Sequence, residues 1–362
     1  MASRVKRIFS HIDDGVDLVV FANSTDPHVD LSFMYATGLT DGLFEGCAVF
    51  CYPNGRAEIV TSVLEEEAAK KSGLPLHGFF TRAERERAYK SLLKGHRKIG
   101  LNFAEITHKA AEEIRNWAPK AKFVDVSQAV MKARLVKEPA EIALLGKAAR
   151  VASQAFEDIV DDIRPGRTES EVAADLVYAM QRRGASGPSF RTIVGSGPNS
   201  AEPHYTAGPR KIRKGDLIVI DFGARCNLYC SDVTRTVVVG KATEKQRDIY
   251  ETVYRAQAAS MKRMRPGVRA KSVDTVARNV IDSSAYKGRF IHGLGHSVGL
   301  AVHDGGGMNQ ASDIVLRKDM VFTNEPGIYL PGFGGVRIED DVWIRDGAPR
   351  VLSTAPRELI EL

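Results

Sequence analysis

The sequence lacks the features that mark several broad classes of protein. No stretch approaches the roughly 18 uncharged residues of a membrane helix, and residues 1–11 carry charges but no apolar run of the signal-peptide type. The net charge is only +6, and no block of basic residues is interleaved with aromatic ones. We therefore expect a cytoplasmic protein that binds neither membranes nor nucleic acid.

Cysteine is also scarce. The chain has four, arranged as the pairs Cys47/Cys51 and Cys226/Cys230. If each pair lay along one strand, its members would be roughly 13 Å apart, which is too far for a disulfide. The spacing is also wider than that of a zinc knuckle. We expect four free, buried thiols, which is typical of a reducing compartment.

A chain of 362 residues with 43% hydrophobic residues can bury two cores. The N-terminal part alternates strand and helix patterns, and it contains neither a nucleophile paired with a base nor a glycine-rich phosphate loop. Its predicted elements are strands at 17–22, 44–51, 56–61 and 98–102, and helices at 64–71 and 108–117. We place the boundary near residue 130, which gives an α/β domain at 1–130 and a second domain at 131–362.

The second domain is predicted to begin with two helices. Pro139 suits the first turn of one, and Thr168 with Glu171 forms a capping box that starts the next. The remaining predicted elements are strands at 217–224, 234–239, 320–325, 336–344 and 350–352, and helices at 243–264 and 272–282. Residues 214–221 weakly resemble residues 318–325, which suggests a duplicated strand unit in a pseudo-twofold α/β fold.

Four carboxylates interrupt apolar, strand-like sequence. They are Asp221, Asp232, Glu325 and Glu339. A buried, unpaired carboxylate costs several kcal/mol, so each needs a cation, a metal or an array of donors. An ion pair or a turn cap would explain any one of them, but only Arg235 and Arg337 lie suitably close in sequence.

Three of the nine histidines fall within residues 290–303, namely His292, His296 and His303. Four carboxylates and one imidazole, His296, make an oxygen-rich ligand set that favours manganese, cobalt, zinc or iron. Four negative charges suit two divalent cations. Two metals roughly 3.5 Å apart polarise a carbonyl group, which allows peptide hydrolysis without a protein nucleophile.

With these motifs the sequence resembles the pita-bread metallopeptidases, and among them the Xaa-Pro peptidases, prolidase and aminopeptidase P. The resemblance covers nearly the whole chain, including the linker 134–142, and three ligand-motif spacings match: 221 to 232, 296 to 303 and 325 to 339. It implies a small creatinase-type N-terminal α/β domain followed by a pseudo-twofold pita-bread catalytic domain. It also implies a homodimer that hydrolyses peptides with proline at the second position.

The resemblance also implies a role for each site residue. Asp221 would bind one metal with both of its oxygens, Asp232 and Glu339 would bridge two metals, and His296 and Glu325 would complete the second site. Glu325 would also accept and donate the proton of the attacking water. The implied substrate-side residues are His204, His292 and His303 beside the oxyanion, with Arg337 bracing the carboxylates and Tyr229 near the site.

Three positions depart from the family pattern. Ser297 and Arg191 replace smaller or differently charged residues, and Gly307 stands where prolidases carry an arginine for the free carboxylate of a dipeptide. Gly307 slightly favours aminopeptidase P over prolidase, unless Arg191, Arg210 or Lys211 substitutes. Methionine aminopeptidase, creatinase-like hydrolases and a non-enzymatic binding protein on the same scaffold are the alternatives. The retained ligands and the N-terminal domain argue against them.

Overall fold

The structure, a computed structural model, describes residues 1–13 and 15–362. The chain divides into two units, Met1–Arg134 and Leu135–Leu362. No helix among the described residues is long and apolar enough to cross a membrane.

The first unit is built on a six-stranded mixed sheet. Its strands are β1 (Leu18–Ala22), β2 (Ala48–Cys51), β3 (Ala57–Ser62), β4 (Leu76–Phe79), β5 (Lys98–Leu101) and β6 (Lys122–Asp125). Its helices are α1 (Ala2–Phe9), α2 (Leu31–Thr37), α3 (Glu66–Lys70), α4 (Arg82–Leu93), α5 (His108–Trp117) and α6 (Ser127–Leu135), which ends at the unit boundary. The strand order is β4-β3-β2-β1-β5-β6. Strand β2 begins later than predicted because Phe44 and Gly46 have positive φ angles of 51° and 67°, which turn the chain before the strand.

The second unit contains four α-helices and fourteen short strands among its residues. The helices are α7 (Pro139–Ile159), α8 (Glu169–Arg182), α9 (Glu244–Arg263) and α10 (Ala270–Asp282), with 3-10 turns at Val160–Asp162 and Gly197–Ala201. The first seven strands are β7 (Gly187–Pro188), β8 (Ile193–Ser196), β9 (Leu217–Phe222), β10 (Ala224–Cys226), β11 (Tyr229–Cys230), β12 (Val233–Val238) and β13 (Gly295–His296). The others are β14 (Gly307–Met308), β15 (Val321–Asn324), β16 (Gly327–Leu330), β17 (Gly334–Arg337), β18 (Asp340–Trp343), β19 (Arg350–Val351) and β20 (Ile360–Glu361).

Two halves of the second unit have the same layering of helices on a sheet. In one half, α7 and α8 share a buried apolar cluster with the sheet β20-β12-β9-β8, and Phe156 stacks on Phe222 with ring centroids 5.5 Å apart. In the other half, α9 and α10 share a cluster with the sheet β15-β18-β19. Asp221 lies near the end of β9, and Glu325 directly follows β15. The duplicated strand unit therefore has a structural counterpart.

Both predicted helix starts are confirmed. Pro139 is the first residue of α7. At α8, the backbone N–H of Glu171 donates to Thr168 Oγ1 at 3.2 Å, and the backbone N–H of Thr168 donates to Glu171 Oε2 at 2.6 Å. Such reciprocal bonds satisfy two amide groups that a helix leaves unpaired.

The single strand predicted at 336–344 is wrong. The segment forms two strands in different sheets: β17 pairs with β16, whereas β18 pairs with β15 and β19. Glu339 lies between them, and its backbone N–H donates to the Thr234 carbonyl at 3.1 Å. A continuous apolar pattern shows that the residues are buried, but it does not show where the chain changes sheets.

All four cysteines are free and buried, as predicted. The geometric reason given for the second pair is wrong, however, because Cys226 and Cys230 lie on adjacent strands of a tight hairpin, β10 and β11. Asn227 and Leu228 form its turn with φ angles of 49° and 70°. Asparagine is enriched in this conformation, whereas leucine is uncommon in it, so Asn227 was the only residue of the turn that signalled it.

Candidate active site

A cavity of about 370 Å³ in the second unit brings together nine of the ten residues that the resemblance places at the site. They are His204, Asp221, Asp232, His292, His296, His303, Glu325, Arg337 and Glu339. Ser297, Tyr229, Arg191, Arg210 and Lys211 are not among the described residues that line it. Instead, the Tyr229 hydroxyl donates to Glu141 at 2.9 Å, and Arg210 forms an ion pair with Asp216.

A close approach of backbone segments places His296 beside Glu325. The backbone N–H of His296 donates to Thr323 Oγ1 at 3.0 Å, and that of Glu325 donates to the Leu294 carbonyl at 2.9 Å. Gly295 permits the contact, because a Cβ atom there would lie 2.4 Å from the Thr323 carbonyl oxygen. The Thr323 hydroxyl in turn donates to Glu325 Oε1 at 3.1 Å.

The acidic side chains converge on the His296 imidazole. Its Nε2 lies 3.4 Å from Asp232 Oδ2 and 3.4 Å from Glu325 Oε1. Asp232, His296 and Glu339 each offer one ligand atom, and these atoms lie within 4.8 Å of one another. Such convergence of carboxylates on a neutral imidazole is the donor arrangement of a metal site.

Burial controls the protonation of this cluster. It raises the pKa of Glu325 to about 8, and it raises the pKa values of Asp232 and Glu339 well above their usual range, with added repulsion from the neighbouring carboxylates. Burial lowers the pKa of His296 to about 3, with a further contribution from His303. The imidazole is therefore neutral, which is the form that binds metals.

Arg337 links the two sides of the acidic cluster. Its Nη2 lies 2.6 Å from Asp221 Oδ2, and its Nε donates to Thr234 Oγ1 at 3.0 Å. The Thr234 hydroxyl then donates to Glu339 Oε2 at 2.5 Å. One guanidinium therefore neutralises Asp221 directly and orients Glu339 through a threonine, which agrees with the bracing role expected for it.

Tyr329 was not singled out from the sequence, although it connects Arg337 to His292. Arg337 Nη1 donates to the Tyr329 oxygen at 2.9 Å, and that hydroxyl lies 2.9 Å from His292 Nε2. His292 Nδ1 donates to the Gly293 carbonyl at 2.8 Å, so Nε2 accepts the Tyr329 proton. Burial lowers the pKa of His292 to about 4, consistent with a neutral ring.

Some carboxylate oxygens at the cavity are buried without a partner. Among the described residues, nothing hydrogen-bonds Asp221 Oδ1, Asp232 Oδ1 or Glu339 Oε1. Unpaired buried oxygens are costly and are commonly satisfied by water or an ion. Together with one imidazole, they match the oxygen-rich donor set that manganese, cobalt, zinc and iron accept. The residues present therefore fit a metal centre.

A second polar network, also missed from the sequence, fixes the backbone around Glu339. Arg235 is 1% exposed and makes five hydrogen bonds. Its acceptors are the carbonyls of Thr234, Glu339, Ala355 and Pro356, and Asp340 Oδ1. Asp341 fixes the backbone of Asp232, because its Oδ2 accepts a hydrogen bond from the backbone N–H of Asp232 at 3.0 Å. The sequence offered two signals for this network: Arg235, named above as a possible partner for a carboxylate, and the acidic pair that directly follows Glu339.

Comparison with known proteins agrees with this geometry. Residues 143–346 match the family model described as Metallopeptidase family M24, and residues 13–136 match the Creatinase/Prolidase N-terminal domain. The chain belongs to metallopeptidase family M24. The family resemblance and the predicted fold, a creatinase-type domain followed by a pita-bread catalytic domain, are confirmed.

Several relatives of this M24 metallopeptidase match over its full length. An Xaa-Pro dipeptidase from Pyrococcus horikoshii is 36% identical, and the match covers 99% of both chains. The structure of an Xaa-Pro dipeptidase from Bacillus anthracis has a TM-score of 0.91 at 35% identity and covers 100% of both chains. An X-Pro aminopeptidase from Thermotoga maritima has a TM-score of 0.91 at 32% identity and covers 98% of this chain and 100% of the other.

Proposed function

We propose that this M24 metallopeptidase is a dinuclear Xaa-Pro dipeptidase, which cleaves the bond between an N-terminal residue and proline. The observation that carries this proposal is the convergence of Asp232, His296 and Glu339 in a cavity beside unpaired carboxylate oxygens. The names of the similar proteins support the dipeptidase alternative better than the aminopeptidase that Gly307 suggested.

The proposed ligands are Asp221, Asp232, His296, Glu325 and Glu339, with Asp232 and Glu339 shared between two metals. Two divalent cations, manganese or cobalt first and zinc or iron as alternatives, would supply Lewis acidity at the scissile carbonyl. Arg337 lowers the net charge of the set by pairing with Asp221, so that the carboxylates lie close together at a smaller electrostatic cost.

The other residues bind substrate and move protons. Glu325 directly follows β15 with Oε1 3.4 Å from His296 Nε2, and we assign it to take and return the proton of the attacking water. Both ring nitrogens of His292 already have hydrogen-bond partners, the Gly293 carbonyl and the Tyr329 hydroxyl. We therefore assign His292 to orient Tyr329. His204 and His303 also line the cavity, and we assign them to the substrate carbonyl and the oxyanion.

The substrate assignment is tested by comparing an Xaa-Pro dipeptide with the same peptide extended by one residue or C-terminally amidated, using manganese-loaded protein. A dipeptidase cleaves the free dipeptide with the higher kcat/KM. If the amidated or extended peptide is the better substrate, the dipeptidase assignment is wrong. If no peptide with proline at the second position is cleaved, the proposed Xaa-Pro activity is wrong.

An Xaa-Pro aminopeptidase is the second candidate. Among the described residues that line the cavity, the only lysine or arginine is Arg337, which already pairs with Asp221 and Tyr329. Gly307 contributes no side chain to the lining, and Arg191 is exposed outside it. No cation of this lining is thus free for the terminal carboxylate of a dipeptide. The Thermotoga relative named as an aminopeptidase supports the same alternative.

We also infer a cytoplasmic homodimer in which residues 1–130 form the creatinase-type domain and residues 131–362 the catalytic domain. Four free, buried thiols support a reducing compartment. Light scattering of the purified protein tests the dimer: a mass close to 39.6 kDa would contradict it, and about twice that mass is expected.

A further inference from the structure

A buried ion pair lies directly beside the cavity histidine His303. Lys137 Nζ is 2.8 Å from Asp304 Oδ2, and the two side chains are 0% and 3% exposed. Asp304 is the residue after His303. The family resemblance implies a role for His303 and none for Lys137 or Asp304.

Stability alone does not explain the pair. Removing both charges from water costs about as much as their attraction returns, and apolar residues of similar volume are often as stabilising. A lysine is almost never fully buried unless it is paired. Because the pair brings little net stability, its burial beside the cavity indicates a requirement for a defined geometry.

Backbone hydrogen bonds fix both ends of the pair. The backbone N–H of Lys137 donates to the Asp319 carbonyl at 2.8 Å, beside the start of β15. The backbone N–H of Asp304 donates to the Ser297 carbonyl at 2.8 Å, and that of Ser297 donates to the Gly306 carbonyl at 3.0 Å. The ion pair therefore ties the closed loop 297–306 to the segment that leads into Glu325.

Gly299 shows how closely the loop folds around the two charges. A Cβ atom on this residue would lie 1.8 Å from Asp304 Oδ2 and 2.8 Å from Lys137 Nζ. The Gly299 carbonyl also accepts the backbone N–H of Cys230 at 2.8 Å. Any residue with a Cβ atom at position 299 would clash with the Asp304 carboxylate, so only glycine fits there.

The His303 ring has no such restraint of its own. Among the described residues, none hydrogen-bonds either ring nitrogen, and the ring packs against His296 with centroids 4.0 Å apart. Its position is therefore set by the backbone on either side, and Asp304 is the anchored neighbour. We infer that the Lys137–Asp304 pair is a positioning device that holds His303 toward the substrate carbonyl. This inference rests on the proposed function for the role of His303.

The test replaces the pair by apolar residues of similar volume. The double variant Lys137→Met/Asp304→Leu and the isosteric single variant Asp304→Asn are compared with wild type in manganese-loaded form. The control is Arg167→Met/Asp175→Leu, which removes a partly exposed ion pair between Arg167 and Asp175 of α8, outside the cavity lining. The readouts in the manganese-loaded protein are manganese affinity, melting temperature, and kcat and KM for an Xaa-Pro peptide. The His303 ring NMR signal is recorded on the zinc-loaded protein, because Mn²⁺ is paramagnetic, and is assigned by its loss in His303→Asn.

We expect the double variant to keep the melting temperature and manganese affinity of wild type while kcat falls on the order of 100-fold, as for a misplaced catalytic group. The His303 signal should shift in this variant and in Asp304→Asn, and remain unchanged in the control. If the double variant folds with wild-type kcat and an unshifted His303 signal, the inference is overturned.

If the double variant fails to fold, the Asp304→Asn variant tests the inference instead, through its kcat and its His303 NMR signal. Failure of the wild-type protein to cleave any Xaa-Pro peptide would refute the proposed function instead. The NMR comparison would still show whether the pair positions His303.

Discussion

Arg337 and Asp221 form a buried ion pair in which Nη2 lies 2.6 Å from Oδ2. The two oxygens of the aspartate therefore have different surroundings. Oδ2 accepts the guanidinium, and Oδ1 is buried with no hydrogen-bond partner among the described residues. Oδ2 thus serves the charge balance of the site, which leaves Oδ1 for the proposed metal, whereas the resemblance implied that both oxygens bind it. The same guanidinium reaches Glu339 through Thr234, so the carboxylates are not independent of one another.

The first prediction concerns this pair. Replacing Arg337 by methionine leaves Asp221 uncompensated, and we expect the metal-free protein to lose about 3–5 kcal/mol of unfolding free energy. Manganese should restore part of the loss, because the metal replaces the missing positive charge. Urea unfolding with EDTA and with manganese measures both effects. Arg337→Lys is the control, since it keeps a charge and should lose less; equal stability of the methionine variant and wild type would contradict the account.

The second prediction concerns Arg235. Arg235→Lys keeps the charge but cannot reach all five acceptors, so several buried carbonyls lose their donors. We expect a loss of about 1–3 kcal/mol for each group left unpaired and weaker manganese binding, because the Glu339 carbonyl is one of the acceptors. Calorimetric titration measures the affinity. Arg210→Lys alters an arginine that contacts Asp216 and no predicted ligand, and it should leave that affinity unchanged.

The third prediction is a pH dependence of the metal-free protein. Burial raises the pKa of Glu325 from 4.5 to about 8. A carboxyl group with a raised pKa stabilises the folded state fully below pH 4.5, and this contribution is lost as the pH rises to about 8. We expect Glu325→Gln to remove this part of the decline in melting temperature when both proteins are measured with EDTA. Identical pH profiles for the two proteins would be inconsistent with the raised pKa.

The fourth prediction is low thiol reactivity. All four cysteines are buried, and burial raises the pKa of Cys230 to about 11, so little thiolate forms near neutral pH. Ellman's reagent should label the native protein slowly and should find four thiols after unfolding. Rapid labelling of the native protein would contradict the burial of these thiols.

Much of the site was predictable because its chemistry requires particular residue types in particular surroundings. A carboxylate such as Asp221 after four apolar residues is conspicuous, since burial demands a partner, and the Thr168–Glu171 capping box is a local signal. The strand echo that relates Asp221 to Glu325 also has its counterpart in the two halves of the second unit. These features depend on short stretches of chain.

The residues missed depend on contacts between distant segments. Tyr329 looks like an ordinary strand residue until the fold brings it between Arg337 and His292. Lys137 precedes Asp304 by 167 positions, and no local sequence pattern indicates that the two residues form an ion pair. The break at Glu339 was hidden because both flanking strands are buried. Tertiary packing, rather than local preference, decides all three.

The most direct test is the manganese content per chain after loading and desalting, measured by mass spectrometry. We expect about two ions per wild-type chain and a large loss in Asp232→Ala and Glu339→Ala, because each of these carboxylates would serve both metals of the proposed centre. His303→Ala should retain its manganese. A folded wild-type protein that keeps no manganese or cobalt after loading would contradict the central claim.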